Sequence, residues 1–334
     1  MIQCPTGLNS MRNESEIRAK LDDKDILLSE HLGQHILIDE GAISTVVGQI
    51  EYGINVLEIG SGPGNLTERI ADRAKRVVGV EIDQRFKPLL DNVQQTHPNV
   101  EIIYKDAISL NFGKIIKAGF LKTGWQIASN LPFHISEPFM QKLIEVPIES
   151  AVLVVGDQLA RRMQIENPND MEFSRLSLLT QTFFQSNIVS YLGKRSFYPQ
   201  PRTDAAIVVL NPRGKREFEN NPGQSILKNL FLTERRNPSI VKVIKDSGRS
   251  GVNHVTMPKT ESHRYERRQT KRELGQMTRN WQYGYSQTDR PGEVFGNSEV
   301  DKLNLPGEIL NKPFSRLDNQ DIRTLTKALR RRYG

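Results

Sequence analysis

The sequence has little cysteine and no long apolar run, and these shortages exclude several classes of protein. Cys4 is the only cysteine among 334 residues. We therefore expect neither a disulfide framework nor a cysteine-based zinc cluster, and we predict no metal site. No apolar stretch approaches the length that spans a membrane, and residues 1–20 lack the apolar core of a signal peptide. A cytoplasmic protein without a membrane partner is expected.

Hydrophobic residues are also somewhat scarce, whereas positive charge is in excess. The hydrophobic share of 37% suggests that part of the chain packs poorly. The net charge is +7 and the pI is about 9.4. Such a charge favours a polyanionic partner, although a solvated cationic surface is the alternative.

Apolar runs and helical patterns alternate between about residues 40 and 160. The apolar runs predict strands at 54–60, 76–83, 100–107, 125–130 and 150–156. Helical patterns lie at 65–74, 85–95 and 136–145. This alternation predicts an α/β fold with a doubly wound parallel sheet. Such sheets bind ligands at the carboxyl ends of their strands. The candidate site residues at or near those ends are Gly60, Glu81, Asp106 and Asn130.

The character of the sequence changes beyond residue 212. Helical patterns at 223–232 and 317–334 predict a small, mainly helical C-terminal domain. Between them, at about 246–300, the chain is polar and poor in aliphatic residues, which predicts a flexible insertion. We divide the chain into an N-terminal extension (1–29), an α/β domain (30–212) and a C-terminal helical domain (213–334).

The stretch EIGSGPGNLTERI places three glycines, Gly60, Gly62 and Gly64, between a strand and a helix. Glycines there let the backbone turn tightly and approach a ligand closely. The third glycine of a dinucleotide-binding loop would fall at position 65, which is Asn. The loop therefore favours a nucleoside without a pyrophosphate, such as S-adenosylmethionine. An ordinary tight turn is the alternative.

Two acidic residues follow on the next strands. Glu81 ends the second strand, where a carboxylate can accept hydrogen bonds from both ribose hydroxyls. Asp106 follows the third strand, where it can accept from the amino group of the cofactor's adenine. Alone, Glu81 is more often a solvated acid and Asp106 a turn former. Their order on successive strands after the glycine loop favours a cofactor site.

The stretch NLPF, residues 130–133, combines an amide, a rigid residue and an aromatic ring in one turn. The side-chain oxygen of Asn130 and the carbonyl of Leu131 could each accept an N–H of an adenine amine, which would aim its lone pair at a sulfonium methyl. Pro132 stiffens the turn, and Phe133 offers a face for a flipped base. A helix cap with a core Phe is the alternative.

Five motifs together resemble the ribosomal RNA adenine dimethyltransferases, namely LGQHILID, VLEIGSGPGNLT, VEID, KDAI and NLPFHIS. That family includes erythromycin-resistance methylases and a mitochondrial transcription-factor branch. The resemblance covers roughly residues 30–212 and resumes near the C-terminal helices. It implies a Rossmann-like methyltransferase sheet and S-adenosylmethionine as cofactor. The cofactor contacts that it implies are His35, Leu37, Gly60, Glu81, Asp106 and Asn130.

Three features depart from the family pattern. His35 stands where Asn is usual, Phe133 stands where Tyr is commoner, and VVGDQLARRM lacks a Lys–Glu pair. The resemblance nevertheless implies methylation of the exocyclic amine of adenine, with dimethylation in small-subunit ribosomal RNA as our expectation. A resistance-type methylase of large-subunit RNA and a non-catalytic nucleic-acid-binding relative in ribosome assembly or transcription are the alternatives.

The expected partner is ribosomal RNA or a pre-ribosomal subunit, bound by a monomer. A C-terminal RNA-binding role is expected for the helical domain. Predicted phosphate contacts are Arg161, Arg162, Arg235, Arg236 and Arg330–Arg332. For each arginine alone, a solvated surface charge is the alternative.

Overall fold

A computed structural model describes residues 8–110, 124–144, 146, 148–214, 221–249 and 297–333. The chain divides between residues 217 and 218 into two units, each described here by itself. Most of the insertion predicted at 246–300 lies outside the described residues, and its two described ends, 246–249 and 297–300, are helical.

The first unit is built on a seven-stranded sheet with the strand order β4-β3-β2-β5-β6-β9-β7. Its parallel strands are β2 (Asn55–Ile59), β3 (Arg76–Glu81), β4 (Val100–Tyr104), β5 (Trp125–Asn130) and β6 (Ser150–Gly156). Two antiparallel pairings then add β9 (Ala205–Pro212) and β7 (Phe184–Leu192). A separate two-stranded ladder joins β1 (Ile36–Leu37) to β8 (Phe197–Tyr198).

Helices of the first unit alternate with these strands. They are α1 (Leu8–Asp22), α2 (Glu40–Gly48), α3 (Asn65–Ala71), α4 (Lys87–Thr96), α5 (Ser136–Leu143), α6 (Asp157–Gln164) and α7 (Arg175–Phe183). The central strands are apolar on both faces, so residues such as Val56, Val77 and Val152 are fully buried. This burial fixes the strand ends that carry the candidate site.

The second unit is helical. Its helices are α8 (Pro222–Thr233), α9 (Ile240–Arg249), α10 (Asn297–Lys302), α11 (Gly307–Asn311) and α12 (Asn319–Tyr333). Leu230 and Leu325 are fully buried in its core. Phe231 meets Phe314 edge to face, with ring centroids 4.8 Å apart.

The predicted α/β sheet and the helical C-terminal part are confirmed, with two differences. The sheet is mixed, because the chain between 184 and 212 adds two antiparallel strands beside the five parallel ones. The third strand ends at Tyr104 rather than at 107. There the carboxylate of Asp106 accepts a hydrogen bond from the Ile108 backbone, which turns the chain.

Among the described helices, none has both the length and the hydrophobicity that crossing a membrane requires.

Candidate active site

A cavity of about 120 Å³ lies at the carboxyl ends of the parallel strands. Its walls come from the segment before β1, the glycine loop after β2, the ends of β3 and β4, and the turn after β5. Of the predicted site residues, the cavity wall includes His35, Leu37, Gly60, Gly62, Glu81, Asp106, Asn130 and Pro132. The carboxyl ends of the parallel strands therefore bring together residues from distant parts of the chain, as the rule for ligand sites in such sheets predicts.

The glycines of the loop have two different surroundings. Gly62 has a φ of +52°, and a Cβ there would meet no atom within 4 Å, so its missing side chain leaves open space at the cavity. Gly64 has a φ of +92°, and its Cβ would lie 2.6 Å from Cγ2 of Val93 on α4. Gly64 thus lets α3 pack closely against α4 and is not part of the cavity wall.

Glu81 holds the glycine loop from the end of β3. Its Oε2 accepts a hydrogen bond from the Gly62 backbone at 2.7 Å, and its Oε1 accepts one from the Asp83 backbone at 2.8 Å. The side chain is almost buried, at 5% exposure, and this burial raises its pKa. The Ile82 backbone also bonds to this carboxylate. Because the two oxygens of a carboxylate together accept about four hydrogen bonds, Glu81 keeps capacity for a ligand hydroxyl.

A second glutamate, Glu58, lies beneath the loop and is fully buried. Its Oε2 accepts hydrogen bonds from the hydroxyls of Ser61 at 2.8 Å and Thr67 at 2.6 Å. Its Oε1 has no partner among the described residues. Burial raises the pKa of Glu58 to about 7. Glu58 is not among the residues predicted from the sequence, although a charged residue inside the apolar run of β2 indicates a buried carboxylate that needs hydrogen-bond donors.

The cavity is covered by residues just before β1 and in β1 itself. The Nδ1 of His35 lies 2.7 Å from the carbonyl of Pro199, and the carbonyl of Leu37 accepts from Asn65 at 2.6 Å. Gln34 also belongs to the wall and was missed by the sequence analysis. Ile82, half exposed beside Glu81, is another wall residue that it missed.

Asn130 is the last residue of β5, and one hydrogen bond holds its side chain in place. Its Nδ2 donates to the carbonyl of His35 at 2.7 Å, and no described residue donates to its side-chain oxygen. That amide orientation leaves an acceptor oxygen beside the cavity. Leu131, in contrast, is buried, and its backbone donates to Val154 on β6 at 3.0 Å. Pro132 belongs to the cavity wall.

Phe133 begins the short 3₁₀ turn Phe133–Ile135 and lies next to the cavity rather than in its wall. Its ring is half-buried, packs about 3.7 Å from where a Cβ of Gly156 would lie, and has its centroid 6.3 Å from that of His35. Of the alternative, a helix cap with a core Phe, the structure shows one half: no side chain of the turn caps α5, whereas the Phe133 ring packs against the apolar core.

Residues 28–259 match the family model described as ribosomal RNA adenine dimethylase. The chain belongs to the ribosomal RNA adenine dimethylase family. It is 35% identical to a Pyrococcus abyssi protein named "Probable ribosomal RNA small subunit methyltransferase A", over 66% of this chain and 76% of that protein. It is 31% identical to the ribosomal RNA small subunit methyltransferase A of Alkaliphilus oremlandii, over 61% and 71%.

A solved dimethyladenosine transferase from Plasmodium falciparum has a similar fold, with a TM-score of 0.51. The likeness covers 87% of this chain and 96% of that chain at 23% identity. As a member of the ribosomal RNA adenine dimethylase family, this chain has the Rossmann-like methyltransferase sheet that the sequence predicted.

The residues present in this family member fit a nucleoside cofactor. The open space at Gly62 allows close approach of a ligand to the loop backbone. Glu81 and Asp106 provide carboxylate oxygens at two adjacent strand ends, and the half-exposed Ile82 of the cavity wall provides an apolar side chain. This donor set suits the ribose and adenine of S-adenosylmethionine.

Proposed function

We propose that this chain transfers a methyl group from S-adenosylmethionine to the exocyclic amine of adenine in small-subunit ribosomal RNA, and does so twice on the same nitrogen. The observation that carries the proposal is the acceptor oxygen of Asn130 at the cavity. The family and the names of its relatives support ribosomal RNA as the substrate.

The residues on the cofactor side of the site would bind S-adenosylmethionine and orient it. Glu81 accepts hydrogen bonds from the ribose hydroxyls, Asp106 accepts from the adenine amino group, and the loop at Gly62 lies close to the ligand. Leu37 and His35 cover it. When bound, S-adenosylmethionine supplies a methyl group on a positively charged sulfur.

The adenine side of the site would prepare the nucleophile. The amine of adenine is a poor nucleophile because its lone pair is delocalised into the ring. An N–H bond donated to Asn130 Oδ1 and another to the Leu131 carbonyl favour a more tetrahedral nitrogen with its lone pair available. With S-adenosylmethionine bound, the turn would hold this nitrogen toward the methyl group that the cofactor supplies, and the proton released from the alkylated nitrogen would pass to solvent. Phe133 stacks on the flipped base.

A basic and aromatic surface next to this turn supports an RNA substrate. Helix α6 follows directly after Gly156, the residue that Phe133 contacts. On it, the guanidinium of Arg161 lies 5.4 Å from the ring centroid of Tyr191, which is 56% exposed. Arg161 also pairs with Asp157 at 3.6 Å. We propose Arg161 and Arg162 as phosphate contacts.

The remaining partner predictions stay predictions. Arg236 and Arg330–Arg332 lie in the second unit, and the side chain of Arg235 lies outside the described residues. The RNA-binding role of that unit, the monomeric state and the cytoplasmic location are proposals as well.

The target is tested by mapping methylated adenines in ribosomal RNA from cells with and without this protein. We expect dimethylated adenines in the small subunit to disappear with the protein. Loss of a large-subunit methyl group instead would indicate the resistance-type activity. An unchanged methylation pattern would indicate a non-catalytic relative and contradict the proposal.

A further inference from the structure

We propose that Gln34 and Asp83 are positioning residues that hold residues 27–35 closed over the cavity and couple this closure to Glu81. Residues 27–35 are called the cover segment below. The inference rests on the proposed function, because it assigns Glu81 to the cofactor. In this proposal, Asp83 links the cover segment to Glu81, the residue assigned to the ribose.

Gln34 gives the cover segment its shape and its main attachment. Its Oε1 accepts a hydrogen bond from the Ser29 backbone at 2.7 Å, which closes the segment into a turn. Its Nε2 donates to Oδ2 of Asp83 at 2.7 Å. One side chain therefore shapes the cover and attaches it to the end of β3, which lies 49 residues away in sequence.

The carboxylate of Asp83 is linked to both ends of the cover segment. It is nearly buried, at 7% exposure, and accepts from Arg85 through Nε at 2.9 Å and Nη2 at 2.6 Å. The Nη1 of Arg85 in turn donates to the carbonyl of Leu27 at 2.8 Å. Gln34 therefore binds Asp83 directly, and Leu27 is linked to it through Arg85.

The charge of Asp83 is maintained by these donors. Burial by itself would raise the pKa of Asp83, but the hydrogen bonds from Arg85 and Gln34 outweigh it, and the pKa lies below its ordinary value. Asp83 is therefore ionised at neutral pH, and its bonds to the cover segment are charge-assisted.

Asp83 is also hydrogen-bonded to Glu81, the residue whose carboxylate we assign to the cofactor ribose. The backbone N–H of Asp83 donates to Oε1 of Glu81 at 2.8 Å, while Gly62 donates to Oε2. A change in the backbone of Asp83 therefore alters both Glu81 and the cover segment. The cover segment also reaches the adenine side, because the carbonyl of His35 accepts the hydrogen bond from Asn130. The contacts of Gln34 and Asp83 should therefore control mainly how tightly the cofactor binds and affect the methyl-transfer step less.

The test compares cofactor affinity with the rate of transfer. Gln34→Ala should raise the dissociation constant of S-adenosylmethionine, measured by calorimetry, by about 5- to 30-fold, which is part of the loss expected when a hydrogen bond to a charged group is removed. The single-turnover rate at saturating cofactor should change by a smaller factor than the dissociation constant, since a uniform loss of binding leaves this rate unchanged and His35 keeps its own contact with Pro199. Hydrogen exchange should show that the cofactor protects residues 27–35 in wild type and protects them less in the variant.

Arg76→Ala is the matched control. It breaks the guanidinium–carboxylate pair between Arg76 and Glu101, whose atoms are 2.7 Å apart, at the amino end of the same strand β3. This pair resembles that of Arg85 and Asp83 at the carboxyl end but lies away from the cavity. Arg76→Ala should leave cofactor affinity unchanged, whereas Arg85→Ala should weaken it.

Gln34→Glu distinguishes a positioning role of Gln34 from a general effect of the substitution on the stability of the fold. The introduced carboxyl cannot donate to Asp83 when ionised, so cofactor affinity at pH 7 should fall at least as far as in Gln34→Ala. Toward pH 5 the introduced group gains a proton, can donate again, and should recover part of the affinity relative to wild type.

Two results would overturn the inference. One is wild-type cofactor affinity in folded Gln34→Ala and Arg85→Ala, and the other is a loss of affinity in Arg76→Ala as large as in Arg85→Ala. If the wild-type chain itself bound no S-adenosylmethionine, the proposed function would fail, which is a separate outcome.

Discussion

The two sides of the cavity differ in how many of the protein's own donors hold their polar side chains. The cofactor side, formed by the ends of β2, β3 and β4, holds Glu81 with backbone N–H groups and Glu58 with two hydroxyls. The adenine side is the turn 130–133. There Asn130 has one described anchor, and its acceptor oxygen has no described donor. On the cofactor side, several donors of the protein hold the two carboxylates, although Oε1 of Glu58 has no described partner. On the adenine side, the acceptor oxygen of Asn130 has no described donor, and we propose that it accepts from the substrate.

This contrast predicts that changes on the two sides affect different quantities. On the cofactor side, they should alter cofactor affinity or the free energy of unfolding. On the adenine side, they should alter the rate of methyl transfer or the capture of the base. Each variant below tests this division.

The largest effect is expected for Asn130→Ala. The rate constant for methyl transfer should fall about 10²-fold or more, as when one oriented hydrogen-bond partner is removed from a transition state. Cofactor affinity should fall less. The measurement is single-turnover transfer at saturating cofactor, with the fold checked by circular dichroism.

Asn99→Ala is the control for this variant. It removes similar amide-to-carbonyl hydrogen bonds, to Ala71 and Ala74, at a place away from the cavity, so the rate should stay at the wild-type value. An Asn130→Ala protein that transfers methyl groups as fast as wild type would make the turn purely structural.

Glu58 should make stability depend on pH. Its pKa is raised by burial to about 7 in the folded chain, against 4.5 as the ordinary value. The folded state therefore binds the proton more tightly, and this contribution is fully present below about pH 4.5 and lost as pH rises through about 7. The free energy of unfolding should fall by up to about 3 kcal/mol over that range.

Glu58→Gln tests this assignment because an amide does not titrate and still accepts from Ser61 and Thr67. Denaturant unfolding at pH 5, 6, 7 and 8 should show a flatter pH dependence in the variant than in wild type. Parallel curves would mean that Glu58 does not titrate in this range.

Glu81→Ala should weaken S-adenosylmethionine binding by about 1.5–3 kcal/mol, the loss expected for hydrogen bonds to a charged group. Calorimetry on the folded variant measures it. If the affinity were unchanged, Glu81 would be removed from the cofactor site and the contrast between the two sides would lose its main example.

The smallest effects are expected at Phe133. Phe133→Ala should weaken RNA binding by about 1–3 kcal/mol through lost base stacking, while Phe133→Tyr should be nearly silent. The measurement is RNA affinity at saturating cofactor. Tyr52→Ala, which alters an 84% exposed ring before the amino end of β2, is the control. Equal losses at Tyr52 and Phe133 would argue against a specific base contact.

Much of the fold was predictable because the central strands are continuous apolar runs. The strands at 125–130 and 150–156 agree with β5 and β6. Strand β7 was not predicted, since its sequence FQSNIVSYL is mostly exposed or half-buried and lacks such a run. Strand β7 forms by pairing with β9 along its length, and this pairing cannot be recognised from the sequence of β7 alone.

The place of a residue at the cavity was predictable where its position at a strand end decides it, as for Glu81, Asp106 and Asn130. It was not predictable where contacts between distant residues decide it. Gln34 and Asp83 meet only in the folded chain, and Gly64 faces α4 because the two helices pack together.

The central claim is that the site alkylates the exocyclic amine of adenine. The most direct measurement is mass spectrometry of nucleosides from small-subunit RNA after reaction with the purified chain and S-adenosylmethionine. The account predicts adenosine carrying one methyl group and then two on N6. A methyl group on a ring nitrogen, on ribose or on another base would contradict it.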